Sequence, residues 1–191
     1  STIPYYKEAK KSGIKPIIGC EVYVATGSRF DKKQLPGGGW GNNHLVLLAK
    51  NYQGYKNLMK LVTAGYLEGF YYRPRIDIDL LKEYNEGLIC LSGCLKGELP
   101  EKMLKGDFEG AKKTAIIYSQ IFNDRYYLEI QNHGIPEEEA NIANMRKLAS
   151  ELGLPLVCTN DAHYAKQNHW EAHDIHICLG TGKERSDQNR L

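Results

Sequence analysis

The apolar residues of this chain keep changing their spacing, and that alternation restricts the folds open to it more than any other feature. A period near 3.6 residues marks a helix buried along one stripe; a period of two marks a strand with one buried face. "PYYKEAKKSG" opens with Pro4, suited to a first helical turn, and stops at Gly13. "KPIIGCEVYVA" and "NHLVLLAK" read as strands, after which Tyr55, Leu58, Met59 and Val62 fall on one helical face. "GLICLSG" is a further strand. Asp107 caps the next helix, whose stripe is Phe108, Ala111, Ala115, Tyr118 and Phe122. "RYYLEIQ" is again a strand. Pro136 and three glutamates then open a helix with Ile142, Met145, Ala149 and Leu152 inside, and Gly153 ends it. "LPLVCTN" reads as the last strand, a buried one, and the region 166–180 as helical. Such alternation predicts an α/β fold: a parallel sheet with helices packed outside it, open or closed into a barrel. Functional residues then belong at the carboxyl edge of the strands.

At 191 residues the chain is the size of one large domain with a substantial core. Its 42% apolar and 25% charged residues are ordinary for a soluble protein. No apolar run approaches ~20 residues, so no membrane span is expected, and the helical opening is not a signal peptide. Five widely spaced cysteines, an odd number, predict reduced thiols and a cytoplasmic setting rather than a disulfide framework. A net charge of +2 creates no strong demand for nucleic acid. The missing initiator Met predicts that this is a piece of a longer protein.

Asp161 and His163, in "VCTNDAHY", are two residues apart after an apolar run. In extended backbone such residues point to one side, so both can serve one metal ion; alternatively Asp161 caps a turn and His163 is merely exposed. Glu21 lies within "IIGCEVYV", on the face opposite Cys20, Val22 and Val24, and is either solvated at an edge or paired with a charge or metal. His44 begins a strand. Cys94 follows one, in a small-residue turn where its thiolate can bind metal, whereas Cys90 reads as core. His169, His173 and His176 share a helix face without the glutamate of a zinc-protease motif. His133 in "QNHG" shapes a turn or contacts substrate. "PGGGWG" precedes a strand, and "LGTGKER" lacks a P-loop's spacing, so neither is a phosphate cradle. "GFYYRPR" offers aromatics and arginines for stacking on bases, or packs Tyr71 and Tyr72 against the fold.

Taken together and in this order, "AKKSGIKPIIGCEVYVA", "NHLVLLAKNYQGYKNLMKLV", "GFYYRPRID", "LICLSGCLKGELP", "YYLEIQNHG", "LPLVCTNDAHY" and "EAHDIHICLGTGK" closely resemble the PHP (polymerase and histidinol phosphatase) domains of bacterial replicative C-family polymerases, the DNA polymerase III alpha subunits. The resemblance implies a distorted (β/α)7 barrel, here partial and lacking its first strands, spanning 1–191 as one PHP fragment. It implies up to three divalent ions (zinc, manganese or magnesium) held by Glu21, His44, Cys94, Asp161 and His163, with Glu21, His44, Asp161 and His163 taking part in catalysis. Ions held about 3.5–4 Å apart activate water and absorb charge on phosphate oxygens. The implied chemistry is 3′–5′ proofreading cleavage or pyrophosphate hydrolysis, and the implied partners are DNA, a proofreading exonuclease subunit and a sliding clamp. A subunit-docking role is another reading, as is a stand-alone phosphoesterase acting on an ester such as histidinol phosphate. The family's H-x-H and T-D-H-G motifs have no counterpart here, nor does the polymerase palm, so the fragment alone is expected to be inactive.

Overall fold

The computed structural model describes residues 2–34 and 41–189. Within it the chain divides between Thr159 and Asn160 into two compact units. The first begins with α1 (Thr2–Lys11), β1 (Gly19–Ala25), β2 (Asn42–Ala49), α2 (Tyr52–Leu67), β3 (Arg75–Ile76), α3 (Ile78–Tyr84) and β4 (Leu88–Leu91). It continues through α4 (Glu98–Leu104), α5 (Phe108–Phe122), β5 (Tyr126–Ile130), α6 (Pro136–Leu152) and β6 (Leu156–Cys158). The second unit holds α7 (Trp170–Thr181). Most of the "PGGGWG" stretch lies outside the described residues; β2 follows it, not a helix. No helix among the described residues is long and apolar enough to cross a membrane.

Six strands form one sheet in the order β3-β1-β2-β4-β5-β6. The expected all-parallel arrangement is corrected: β3 is parallel to β1, and β4, β5 and β6 are mutually parallel, but β2 runs antiparallel to both β1 and β4. The sequence pattern carries no sign of this, because a period of two reads the same in either direction.

One face of the sheet makes the core. Val22, Val24, Leu45, Leu47, Leu88, Cys90, Tyr126 and Leu128 are buried there, against Leu58 and Leu61 of α2, Ala115, Tyr118 and Phe122 of α5, and Met145 and Leu148 of α6. Asp107 caps α5 by accepting the Gly110 N–H at 2.8 Å, as its sequence predicts. Gly153 ends α6 in the left-handed conformation.

Other expectations need correcting. Met59 is 44% exposed, because α2 docks through Gly54, Leu58, Leu61 and Gly65 instead. A Cβ on Gly54 would come 1.8 Å from the Gly87 carbonyl oxygen, so bare backbone, not bulk, sets the contact face. β6 is not buried: Leu156 and Cys158 are exposed and Val157 half-buried. It pairs on one side with β5, and no further strand covers it among the described residues. The seven-residue helices α3 and α4 have no counterpart in the periodicity analysis, being too short to establish a stripe.

Candidate metal centre

The reversed strand β2 builds the site. Cross-strand register pairs His44 with Tyr23, and Val46 with both Glu21 and Leu91. His44, at the amino end of its own strand, therefore lies beside the carboxyl ends of β1 and β4. Since Val22 and Val24 face the core, Glu21 and Tyr23 point to the other face, and His44 joins them there. The Tyr23 and His44 rings meet edge-on at 5.1 Å. Glu21 reaches diagonally to place Oε1 2.9 Å from His44 Nδ1.

Cys94 arrives on the turn that leaves β4. His44 donates its backbone N–H to Lys96 O at 2.9 Å, and the Gly97 N–H donates to Cys94 O at 2.7 Å. Gly93 turns with φ +87°, and a Cβ there would fall 2.5 Å from the His44 carbonyl oxygen. Only glycine satisfies both the left-handed backbone and the close approach. The result brings Cys94 Sγ to 3.7 Å from His44 Nδ1. Ligand-type atoms of Glu21, His44 and Cys94 all lie within 4.8 Å of one another.

The Cys94 contact, then the Glu21 carboxylate, outweigh the burial of His44 and push its imidazole up to about 9. Without a cation, a proton on Nδ1 thus reconciles the carboxylate with the ring. A cation would compete with that proton for the same nitrogen. One carboxylate oxygen, one imidazole nitrogen and one thiol sulfur form a mixed donor set suited to a borderline-soft ion such as zinc; magnesium and calcium prefer oxygen alone. The side chains present therefore fit a transition-metal ion.

Asp161 and His163 lie in the second unit. His163 Nδ1 is 2.9 Å from Asp161 O and 3.7 Å from Asp161 Oδ1, with both side chains more than half exposed. The His163 and His173 rings are 5.4 Å apart. His169 and His176 are exposed, and the 169/173/176 trio forms no cluster of ligand atoms among the described residues. Cys90 is fully buried core, as expected. His133 shapes a turn: its N–H donates to Glu138 Oε2 at 2.6 Å and its Nδ1 lies 2.7 Å from Oε1. In "GFYYRPR", Arg75 is buried and donates to the backbone carbonyls of Gly69, Arg29 and Asp31. Tyr71 is half-buried, but Tyr72, also expected to pack against the fold, is 65% exposed and has a φ of 57°. Gly182 of "LGTGKER" closes α7 at its carboxyl end, where no phosphate cradle forms.

One residue had no role in the sequence analysis. Glu129, the next-to-last residue of β5, is only 4% exposed and lies on the same face as Glu21 and His44. A carboxylate inside an apolar strand was the available signal, the same one that singled out Glu21.

A family model described as "PHP domain" matches residues 1–133. The chain belongs to the PHP domain family. Among similar proteins, the DNA polymerase III subunit alpha of Borreliella burgdorferi is 51% identical over 99% of this chain and 16% of its own length. The protein of that name from Treponema pallidum is 49% identical over 98% of this chain and 16% of its length. The one from Thermus aquaticus is 43% identical over 98% and 15% respectively. This PHP chain thus spans about one sixth of the length of the relatives it matches.

Proposed function

We propose that this chain is the PHP region of a bacterial replicative DNA polymerase III alpha subunit, and that its metal centre serves phosphoester hydrolysis, as 3′–5′ proofreading or pyrophosphate removal. In this reading residues 1–191 are one PHP fragment, a distorted (β/α)7 barrel without its first strands. Glu21, His44 and Cys94 hold divalent cations together with Asp161 and His163. The parent would polymerise DNA in the cytoplasm, with a proofreading subunit and a sliding clamp as partners. The convergence within 4.8 Å of Glu21 from β1, His44 from β2 and Cys94 from the turn after β4 is the observation that carries this reading. Names of relatives matching nearly the whole chain favour a polymerase over a stand-alone histidinol phosphatase.

The residues divide the work by chemistry. Glu21 and Asp161 supply anionic oxygens that offset cation charge; His44 and His163 supply neutral nitrogens once deprotonated; Cys94 supplies a soft donor. Bound zinc or manganese would activate water near neutral pH and neutralise charge on phosphate oxygens. Tyr23 braces the His44 ring edge-on, which limits its rotation. Exhaustive dialysis of the parent protein followed by elemental analysis tests the proposal. Retained zinc or manganese, reduced by Asp161→Ala or His163→Ala, supports it; stoichiometry near zero in the unmutated protein defeats it.

A further inference from the structure

We infer that Glu129 is a positioning residue of this centre: its carboxylate fixes the turn that carries Cys94 and ties that turn to Thr159 at the end of β6. The inference rests on the metal-centre reading above and adds a residue to it.

Register places Glu129 in one cross-strand row with the site. Tyr23 pairs with His44; Leu91 pairs with both Val46 and Tyr127, so a step of two residues brings Gly93 between His44 and Glu129. Glu129 in turn pairs with Val157 on β6. Contacts bear out that row. Glu129 Oε2 accepts the Gly93 N–H at 3.0 Å. Its Oε1 accepts from the Thr159 hydroxyl and, at 3.5 Å, from the Gln131 amide. Its own backbone N–H donates to Ser92 Oγ at 2.8 Å. Ser92, Gly93 and Glu129 are all buried.

A buried carboxylate is costly unless it accepts hydrogen bonds, and this one accepts from the Gly93 N–H and from the Thr159 hydroxyl. Gly93 has no side chain with which to hold its own conformation, and its φ of +87° leaves room for no other residue. The hydrogen bond from its N–H to Glu129 substitutes for that missing anchor. Through Gly93 the carboxylate sets where Cys94 Sγ meets His44. Through the Thr159 hydroxyl it also holds the residue that follows β6.

Two readouts on the full chain, with Glu129→Ala and Glu129→Gln, test this. The first needs no metal: amide hydrogen exchange at Gly93. Loss of a hydrogen bond to a charged acceptor should speed exchange about 10- to 100-fold in Glu129→Ala, and less in Glu129→Gln, which keeps one acceptor oxygen. Unchanged exchange in a variant with native circular dichroism overturns the inference. The second is titration with cobalt(II), followed through the thiolate-to-cobalt absorption band of Cys94. Affinity should fall by about 10- to 100-fold with a shifted band, a signature that simple destabilisation does not produce; an unaltered band and affinity overturn the inference. Wild-type chain that takes up no cobalt would defeat the metal reading, and Gly93 exchange then decides the role of Glu129 alone.

Discussion

The two faces of the first unit's sheet are made of different material. On the helix-covered face Leu47, Leu88, Cys90, Tyr126 and Leu128 are 0% exposed, and Tyr118 and Phe122 close over them. On the other face the same strands present Glu21, Tyr23, His44 and Val46, half-buried or exposed, and the buried Glu129. Period-two alternation lets one set of strands serve both purposes. Packing energy accumulates on one side, leaving the other free to carry groups that no core would tolerate. Stability and chemistry are thereby separated by the thickness of a single backbone layer.

Mutations can break or sharpen that contrast. The largest effect belongs to the covered face: Phe122→Ala should cost about 3–5 kcal/mol of unfolding free energy, read from urea denaturation. A loss under ~1 kcal/mol would show that this face is not the core. Next comes Cys94→Ala on the open face. Zinc affinity should drop by more than about 100-fold, exceeding the usual outer-shell loss, while metal-free stability changes by under ~1 kcal/mol; isothermal titration and urea unfolding measure the two.

A smaller, pH-dependent effect is expected at the start of α6. Burial pushes the Glu138 carboxyl up, but hydrogen bonds from the His133 ring and backbone outweigh it and hold the group below its ordinary value of 4.5. A depressed folded value means the contribution is present above about pH 4.5 and lost as pH falls through the lowered one. Glu138→Gln should therefore be less stable than wild type near pH 7, with the gap closing as pH falls below 4.5; a gap that widens in acid would reverse the sign. The smallest effect is Met59→Lys, which should stay within about 0.5 kcal/mol of wild type because that side chain faces solvent.

Strand and helix identity was legible wherever a stripe ran long enough. β1, β2, β4 and β5 fall where alternation placed them, and Asp107 and Gly153 bound their helices as the residue types require. Strand direction was not legible, since side-chain alternation has no polarity; yet the reversal of β2 is what carries His44 to the edge occupied by Cys94. The face of α2 was misjudged because glycines contribute nothing to an apolar pattern while permitting the closest backbone approach. Within the site, Glu21 was visible as a carboxylate inside a strand, whereas His44 and Cys94 drew their candidacy mainly from the family resemblance. Glu129 met the same description as Glu21 and went unnoticed, because "YYLEI" continues a strand pattern without interruption.

Gly93 has a practical consequence for anyone wishing to retune the centre. Its backbone path is committed on both sides: any Cβ collides with the His44 carbonyl, and the left-handed turn penalises every branched replacement. Latitude for engineering lies one residue later. Exchanging Cys94 for aspartate or histidine would alter donor softness at the proposed centre without touching the glycine that sets the turn.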